Sequence, residues 1–158
     1  ELSRLPIYIF DDKHNIEEII LHAEEIRTKH GLDMLIIDYV QLVETKQKCN
    51  TVNERISYIS RMLKKYQQQT KIHVLALSQF NRETESKKFP TLANLRDSGS
   101  LEQDANNVFF LHEENQDLEE SKDTVKDLML IIAKQREGER NIFCNLKFYG
   151  NTQRFYCQ

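Results

Sequence analysis

The stretch MLIIDYVQL, residues 34–42, decides the fold, because it is an apolar run of strand length that ends on a carboxylate. A continuous apolar run of this kind is typical of a central strand in a parallel sheet, where both faces are covered. The carboxylate, Asp38, has two interpretations. It either caps the turn that follows the strand or lies where it can hold a metal ion. The rest of the chain separates these interpretations.

The segments around this strand alternate between strand and helix patterns. A short strand is predicted for LPIYIF at residues 5–10, and a helix is predicted between a cap at Asn15 and a stop at Gly31. A second helix is predicted to begin after Thr51, and IHVLALS at residues 72–78 is a third strand. Strands that alternate with helices predict right-handed crossovers and a parallel sheet.

The second half of the chain has a different character. After Ser78 comes a long polar section in which we predict one short helix near residues 100–105. Strand-like runs then follow with no long helix between them, and hairpins are the simplest connection between such strands. The three runs are DLMLIIAKQ, NIFCNLKFY and RFYC, and they come after the apolar stretch VFFL that ends the polar section. We therefore predict one α/β domain with a β-rich C-terminal end.

Composition excludes several classes of protein. Of the 158 residues, 39% are hydrophobic and 30% are charged, which is typical of a globular domain. No apolar run approaches the roughly 20 residues that span a bilayer, so no membrane partner is expected. Three cysteines without CxxC spacing favour free thiols in a reducing cytoplasm. The net charge is −3, but residues 113–123 hold six of the 25 acids, so the remainder is slightly basic.

Polar groups that can carry chemistry follow the predicted strands. Asp38 and Gln79 each follow an apolar strand, and Lys134 and Arg136 follow another. Ligands of open α/β sheets bind at the carboxyl ends of the strands, and an acid there is typical of Mg²⁺ sites in nucleotide hydrolases. Two basic residues two positions apart can share a face and bind phosphate oxygens. The structural alternatives are a turn cap, a loop hydrogen bond and surface ion pairs.

Four ordered motifs make a more specific pattern than any single residue. The motifs, in chain order, are IIDYVQL, ALSQFNRETE, LRDSGSLEQDANNVFF and IIAKQREGE. Together they resemble the C-terminal motor domain of the DnaB-type replicative helicases, a hexameric RecA-like ATPase family, over nearly the whole chain. The resemblance implies a RecA-like, mostly parallel sheet flanked by helices, with β-hairpins at the C-terminal end.

The resemblance implies a role for each strand-end residue. Asp38 is expected to be the acid that positions Mg²⁺ on bound ATP, and Gln79 the glutamine that couples the γ-phosphate to the DNA-binding loops. Arg136 is expected to be the arginine finger that reaches the nucleotide of the neighbouring subunit, with Lys134 assisting it. ATP and Mg²⁺ are therefore the expected cofactors.

The resemblance also implies a single-stranded DNA site. Arg96, Asp97 and Gly99 match the loop that holds the DNA backbone, and Lys46 and Lys48 lie where a central-channel DNA loop is expected. The implied function is a cytoplasmic, homo-hexameric replicative DNA helicase, with primase and a helicase loader as partners. The alternatives are an inactive RecA-like module for DNA binding and assembly, or another RecA-like recombination ATPase.

The chain departs from the family pattern in one major respect. Its four glycines, Gly31, Gly99, Gly138 and Gly150, are far apart, and no GxxxxGKS or GxxxxGKT phosphate-binding loop is present. We therefore expect residues 1–158 to be a partial motor domain, from the metal-site acid to the arginine finger and last strands. We also expect this chain by itself to be inactive as an ATPase.

Overall fold

The computed structural model describes residues 5–12, 14–79, 90–92, 99–113 and 125–157. The chain divides into two units, Glu1–Gln79 and Phe80–Gln158, and each unit has its own sheet. No helix in these described ranges is long and apolar enough to cross a membrane.

The first unit contains two helices and a parallel pair of strands. The two strands, β1 (Met34–Ile37) and β2 (His73–Ala76), pair in a register that runs from Met34 opposite His73 to Ile37 opposite Ala76. A 3₁₀ turn, Val40–Leu42, follows β1. The predicted strand–helix–strand alternation from residue 34 to residue 78 is therefore confirmed. The elements are α1 (Ile16–His30), β1 (Met34–Ile37), α2 (Val52–Thr70) and β2 (His73–Ala76).

Local signals place the ends of both helices. The Thr51 hydroxyl accepts a hydrogen bond from the Glu54 amide at 3.1 Å, which caps α2 as predicted. Gly31 ends α1 with φ of 80°, a conformation that favours glycine. Asn15 is the N-cap residue of α1, but its side chain makes no capping hydrogen bond. It forms an isolated parallel bridge with Glu44 instead.

The core of the first unit lies on one face of its sheet. Ile37 is 6% exposed, whereas Ile36 on the opposite face of the strand is 56% exposed. Leu35 and Val74 pack against the buried cluster of Ala23, Tyr66 and Ile72. We predicted that MLII is covered on both faces. Within the described residues only one face is covered, because α1 and α2 pack on the same side.

The predicted strand LPIYIF is not formed. Residues 6–10 have no regular secondary structure, and Ile9 is 86% exposed. A strand requires backbone hydrogen bonds to a neighbouring strand. In the part of the chain that the structure describes, no strand pairs with this segment.

The second unit is a four-stranded antiparallel sheet preceded by a short helix. The strands β3 (Asn107–Glu113), β4 (Val125–Gln135), β5 (Ile142–Tyr149) and β6 (Arg154–Cys157) lie side by side in this order. The predicted hairpin order of the last three strands is confirmed, and β3 adds a fourth strand beside β4. Phe110, Ile131 and Ala133 form its buried cluster. A register shift between Val108 and Phe109 interrupts the β3–β4 pairing. The elements are α3 (Gly99–Asp104), β3 (Asn107–Glu113), β4 (Val125–Gln135), β5 (Ile142–Tyr149) and β6 (Arg154–Cys157).

Candidate functional site

Asp38 and Gln79 lie at the same edge of the first unit's sheet. Asp38 directly follows β1, and Gln79 lies three residues beyond the end of β2. The parallel pairing continues past both strands, because the Leu77 amide donates to the Ile37 carbonyl at 3.0 Å and the Val40 amide donates to the Leu77 carbonyl at 2.9 Å. Both Asp38 and Gln79 are exposed. The edge therefore presents a carboxylate and an amide to solvent.

Gln41 joins the two strand ends through its side-chain amide. Its Nε2 donates to Ser78 Oγ at 2.9 Å and to the Gln79 carbonyl at 3.3 Å. The Gln79 amide donates in return to Gln41 Oε1 at 3.4 Å. Sequence reasoning assigned no role to Gln41. Its signal was its place three residues after Asp38, but only the fold shows that Gln79 is its partner.

Arg55 contacts the backbone of Gln41. Arg55 Nη2 donates to the Gln41 carbonyl at 3.2 Å, so a residue of α2 supports the turn that carries Gln41. Its Nε is buried and has no hydrogen-bond partner among the described residues. Arg55 therefore brings positive charge close to the segment that follows β1.

The predicted DNA loop follows the 3₁₀ turn, and its two lysines have different surroundings. Lys46 Nζ lies 2.8 Å from Glu18 Oε1, and this pair raises the pKa of Lys46 through a hydrogen bond and charge attraction. Lys48 is exposed, and no hydrogen bond or ion pair joins it to any other residue the structure describes. The structure therefore brings only Lys46 into contact with an acid.

Glu17 is the second acid beside this loop. Its carboxylate accepts hydrogen bonds from Thr45 Oγ1 at 2.5 Å and from the Lys46 amide at 3.3 Å. Desolvation raises the pKa of Glu17, but bonds from Thr45, the backbone and Tyr58 together outweigh it, so the net pKa is lowered. A lowered pKa means that this stabilisation is present at neutral pH and is lost as pH falls through the Glu17 pKa.

Lys134 and Arg136 meet at the C-terminal end of α3 in the second unit. Lys134 Nζ donates to the Glu102 carbonyl and, at 3.4 Å, to the Gln103 carbonyl. Arg136 Nη2 donates to the Gln103 carbonyl at 2.9 Å. Cations are favourable at a helix C-terminus, where carbonyls lack partners within the helix. The side chains of Lys134 and Arg136 therefore point to the same helix end. Their hydrogen-bond partners there are backbone carbonyls, not the carboxylates that a surface ion pair would use.

The remaining predicted DNA residues are placed only in part. Gly99 is the first residue of α3, so it directly precedes the helix that Lys134 and Arg136 contact. Arg96 and Asp97 lie outside the described residues. The predicted DNA loop therefore directly precedes α3 in the sequence, and the predicted arginine finger contacts the C-terminal end of the same six-residue helix.

The donor set at the sheet edge fits Mg²⁺ bound together with a phosphate ligand. No group of three or more His, Cys, Asp or Glu side chains within the described ranges could hold a metal ion by itself. Mg²⁺ commonly uses one or two carboxylates together with waters and phosphate oxygens. A single exposed carboxylate, Asp38, is compatible with that arrangement.

The sequence matches a known family model over nearly its full length. Residues 1–157 match the model described as the DnaB-like helicase C terminal domain. The chain is 36% identical over 162 aligned residues to a probable plasmid replicative DNA helicase of Chlamydia psittaci. It is 38% identical over 158 aligned residues to the replicative DNA helicase DnaB of Leifsonia xyli subsp. xyli (strain CTCB07). These matches cover 100% and 98% of the chain, but only 34% of each relative.

Solved structures give the same result for the fold. The chain is similar to a solved structure described as an ATPase domain, with a TM-score of 0.84 and 33% identity, over 98% of this chain and 55% of that one. A DnaB-like replicative helicase, studied with its interactions with primase, has a TM-score of 0.80 and 34% identity. That match covers 94% of this chain and 38% of the other. The predicted RecA-like α/β fold class is thereby confirmed.

Proposed function

This chain belongs to the DnaB-like helicase C-terminal domain family, and from that membership we propose that it is the C-terminal part of a replicative DNA helicase. The whole protein couples ATP hydrolysis to movement along single-stranded DNA and to duplex unwinding. Residues 1–158 form part of one RecA-like motor domain. The chain spans about a third of the length of the curated relatives it matches, each covered to 34%.

The observation that carries this proposal is the parallel pairing that puts Asp38 and Gln79 on one sheet edge. Ligands of open α/β sheets bind at this edge. Asp38 would hold Mg²⁺ or one of its waters, and the ion would supply positive charge next to the phosphates of ATP. Gln79 contacts the γ-phosphate. Gln41 holds the backbone of Gln79, so a movement at the phosphate is transmitted to the chain beyond β2.

Arg136 and Lys134 act on the nucleotide of an adjacent subunit in a homo-hexamer. Arg136 is exposed, which an arginine that acts in a neighbouring protomer requires. Its guanidinium binds phosphate oxygens in a fork, and Lys134 adds a second positive charge. Supplying this charge from a neighbour makes hydrolysis dependent on assembly.

Each unit carries one loop for contact with the sugar–phosphate backbone of single-stranded DNA. Lys46 and Lys48 are carried by the loop after the 3₁₀ turn, and Arg96, Asp97 and Gly99 precede or begin α3. A motor that moves along any sequence must contact phosphates rather than read bases. Primase and a helicase loader are the further partners, and the cytoplasm is the compartment. Among the similar structures, one was studied with its interactions with primase.

Replacing Asp38 by asparagine tests the metal role. The measurement uses a polypeptide in which a segment with a GxxxxGKS or GxxxxGKT loop precedes this chain, called here the P-loop-bearing polypeptide. We expect the affinity for a non-hydrolysable ATP analogue with Mg²⁺ to fall about tenfold or more, because a bond to an ionised group is lost. Without Mg²⁺, we expect no change in affinity.

Asp33→Asn is the matched control. Asp33 lies just before the opposite end of β1, is exposed, and contributes its carbonyl to the His73 amide at 2.9 Å. The control keeps that backbone bond, so its affinity should equal that of the unsubstituted protein. Equal affinity with and without Mg²⁺ in the unsubstituted protein would falsify the metal role of Asp38.

A further inference from the structure

We propose that Glu17 is a positioning residue for the loop of residues 44–50, and that Lys48 rather than Lys46 makes this loop's contact with a DNA phosphate. The inference rests on the proposed function, in which the loop lies against single-stranded DNA. It goes beyond that function in two respects. It assigns the phosphate contact to one of two lysines that have the same predicted role, and it gives a role to a residue of α1.

The loop is fixed by main-chain bonds where it begins. The Ile16 amide donates to the Glu44 carbonyl at 2.9 Å, and the Glu44 amide donates to the His14 carbonyl at 2.7 Å. These bonds hold the first residue of the loop beside the first turn of α1. That turn carries the acids Glu17 and Glu18.

The Glu17 carboxylate is hydrogen-bonded to the next two residues of the loop, Thr45 and Lys46. Its Oε1 accepts a hydrogen bond from the Thr45 hydroxyl at 2.5 Å, and its Oε2 accepts one from the Lys46 amide at 3.3 Å. The Thr45 hydroxyl oxygen in turn accepts from the Gln47 amide at 3.0 Å. Hydrogen bonds to an ionised acceptor are the strong ones, so this chain of contacts orders the backbone of residues 45–47.

The far end of the loop is fixed separately. The Asn50 amide donates to Glu54 Oε2 at 2.7 Å, and the Thr51 hydroxyl caps α2. With both ends held by these bonds, the segment between them is short and includes the exposed Lys48. A short loop with two fixed ends loses little conformational entropy when it meets a ligand.

The charges beside the two lysines decide which one takes a phosphate. Lys46 Nζ lies 2.8 Å from the Glu18 carboxylate, and the Lys46 amide is bonded to the Glu17 carboxylate. A phosphate that binds Lys46 therefore also approaches two negative charges. The Lys46–Glu18 pair is exposed and contributes little stability itself. Its effect is to reduce the attraction for another anion. Lys48 has no acid as a hydrogen-bond or ion-pair partner in the described part of the chain, so its charge remains available.

The test uses assembled rings of the P-loop-bearing polypeptide and a short fluorescein-labelled oligothymidylate, with affinity measured by anisotropy at several salt concentrations. We expect Lys48→Ala to reduce the slope of log affinity against log salt by about 0.7, the value for one phosphate contact on a single strand. Lys46→Ala should leave the slope unchanged. The opposite assignment of the two slopes would overturn the choice of Lys48.

Thr45 variants test the positioning role. Thr45→Val keeps the side-chain shape but removes the hydroxyl, so we expect affinity to fall about three- to tenfold because binding must then order the loop. The salt slope stays unchanged, since no phosphate contact is lost. Thr45→Ser retains the hydroxyl and should restore both affinity and the slow hydrogen exchange of the Gln47 amide. Equal affinity and equal exchange in the valine and serine variants would overturn the role of Glu17.

The same measurements distinguish this inference from the proposed function. If the unsubstituted P-loop-bearing polypeptide binds no oligothymidylate, the proposed DNA role of the loop is wrong, and the assignment of Lys48 is wrong with it. Hydrogen exchange of Gln47 in Glu17→Ala, measured without DNA, still decides whether Glu17 orders the loop. Binding that is present but unaffected by Thr45→Val and Lys48→Ala contradicts the inference alone.

Discussion

Replacing Arg136 by alanine is expected to lower ATP hydrolysis by assembled rings of the P-loop-bearing polypeptide by about 10³-fold or more, the range measured for arginine fingers. The arginine stabilises charge that develops on the γ-phosphoryl group as the bond to the leaving oxygen breaks. Because that charge is largest in the transition state, nucleotide affinity and ring formation should be unaffected. Steady-state turnover and equilibrium binding of an ATP analogue separate the two effects.

The structure supplies a matched control for Arg136. Arg140 is also exposed in the turn between β4 and β5, and Arg140→Ala removes the same charge nearby. Arg136→Ala also removes the bond to the Gln103 carbonyl, so a loss of stability must be measured beside the loss of rate. We expect Arg136→Lys to restore little activity, because an ammonium lacks the planar fork of donors.

Mixed rings test whether Arg136 acts on a neighbour. Subunits with Arg136→Ala and subunits with Asp38→Asn are each expected to be inactive alone. When they are mixed, some interfaces combine an intact Asp38 from one subunit with an intact Arg136 from the next, so activity should reappear. No recovery in mixed rings, or normal hydrolysis by Arg136→Ala rings, rules out the assignment.

Replacing Ile59 by alanine is expected to lower the free energy of unfolding of the first unit by about 2–5 kcal/mol. Ile59 is 0% exposed and lies on the face of α2 that also buries Ile56 and Leu63. Truncation removes buried methyl and methylene groups and leaves a cavity that the surrounding residues fill only in part. Urea unfolding of this chain, followed by the helix signal in circular dichroism, measures the loss.

Two variants define how much of this effect comes from burial. Ile59→Val removes one methylene and should cost about 0.5–1.5 kcal/mol. Leu21→Ala removes an apolar side chain that is 63% exposed on α1, and a surface change of this kind should stay within about 0.5 kcal/mol. Equal losses for Ile59→Ala and Leu21→Ala would contradict the assignment of the core to this face of α2.

The sequence by itself determined the elements whose signals are local. The spacing of apolar residues after Thr51 and the Thr51–Glu54 capping pair predicted α2, and both are present. Consecutive apolar runs predicted the antiparallel strands β4 to β6, because hairpins join neighbours in sequence. The place of Asp38 and Gln79 at one edge followed from two parallel strands, since their carboxyl ends must lie together. The roles of these residues remain predictions.

Only the tertiary structure decided the contacts between residues far apart in the chain. The sequence did not show that Gln41 holds Gln79, or that Glu17 holds Thr45, because these pairs are 38 and 28 residues apart. It also failed at residues 5–10, where an apolar run has strand composition but no paired neighbour among the described residues. Local composition sets what a segment can form. Partners brought close by folding decide which backbone and side-chain bonds are made, and hence which surfaces stay exposed.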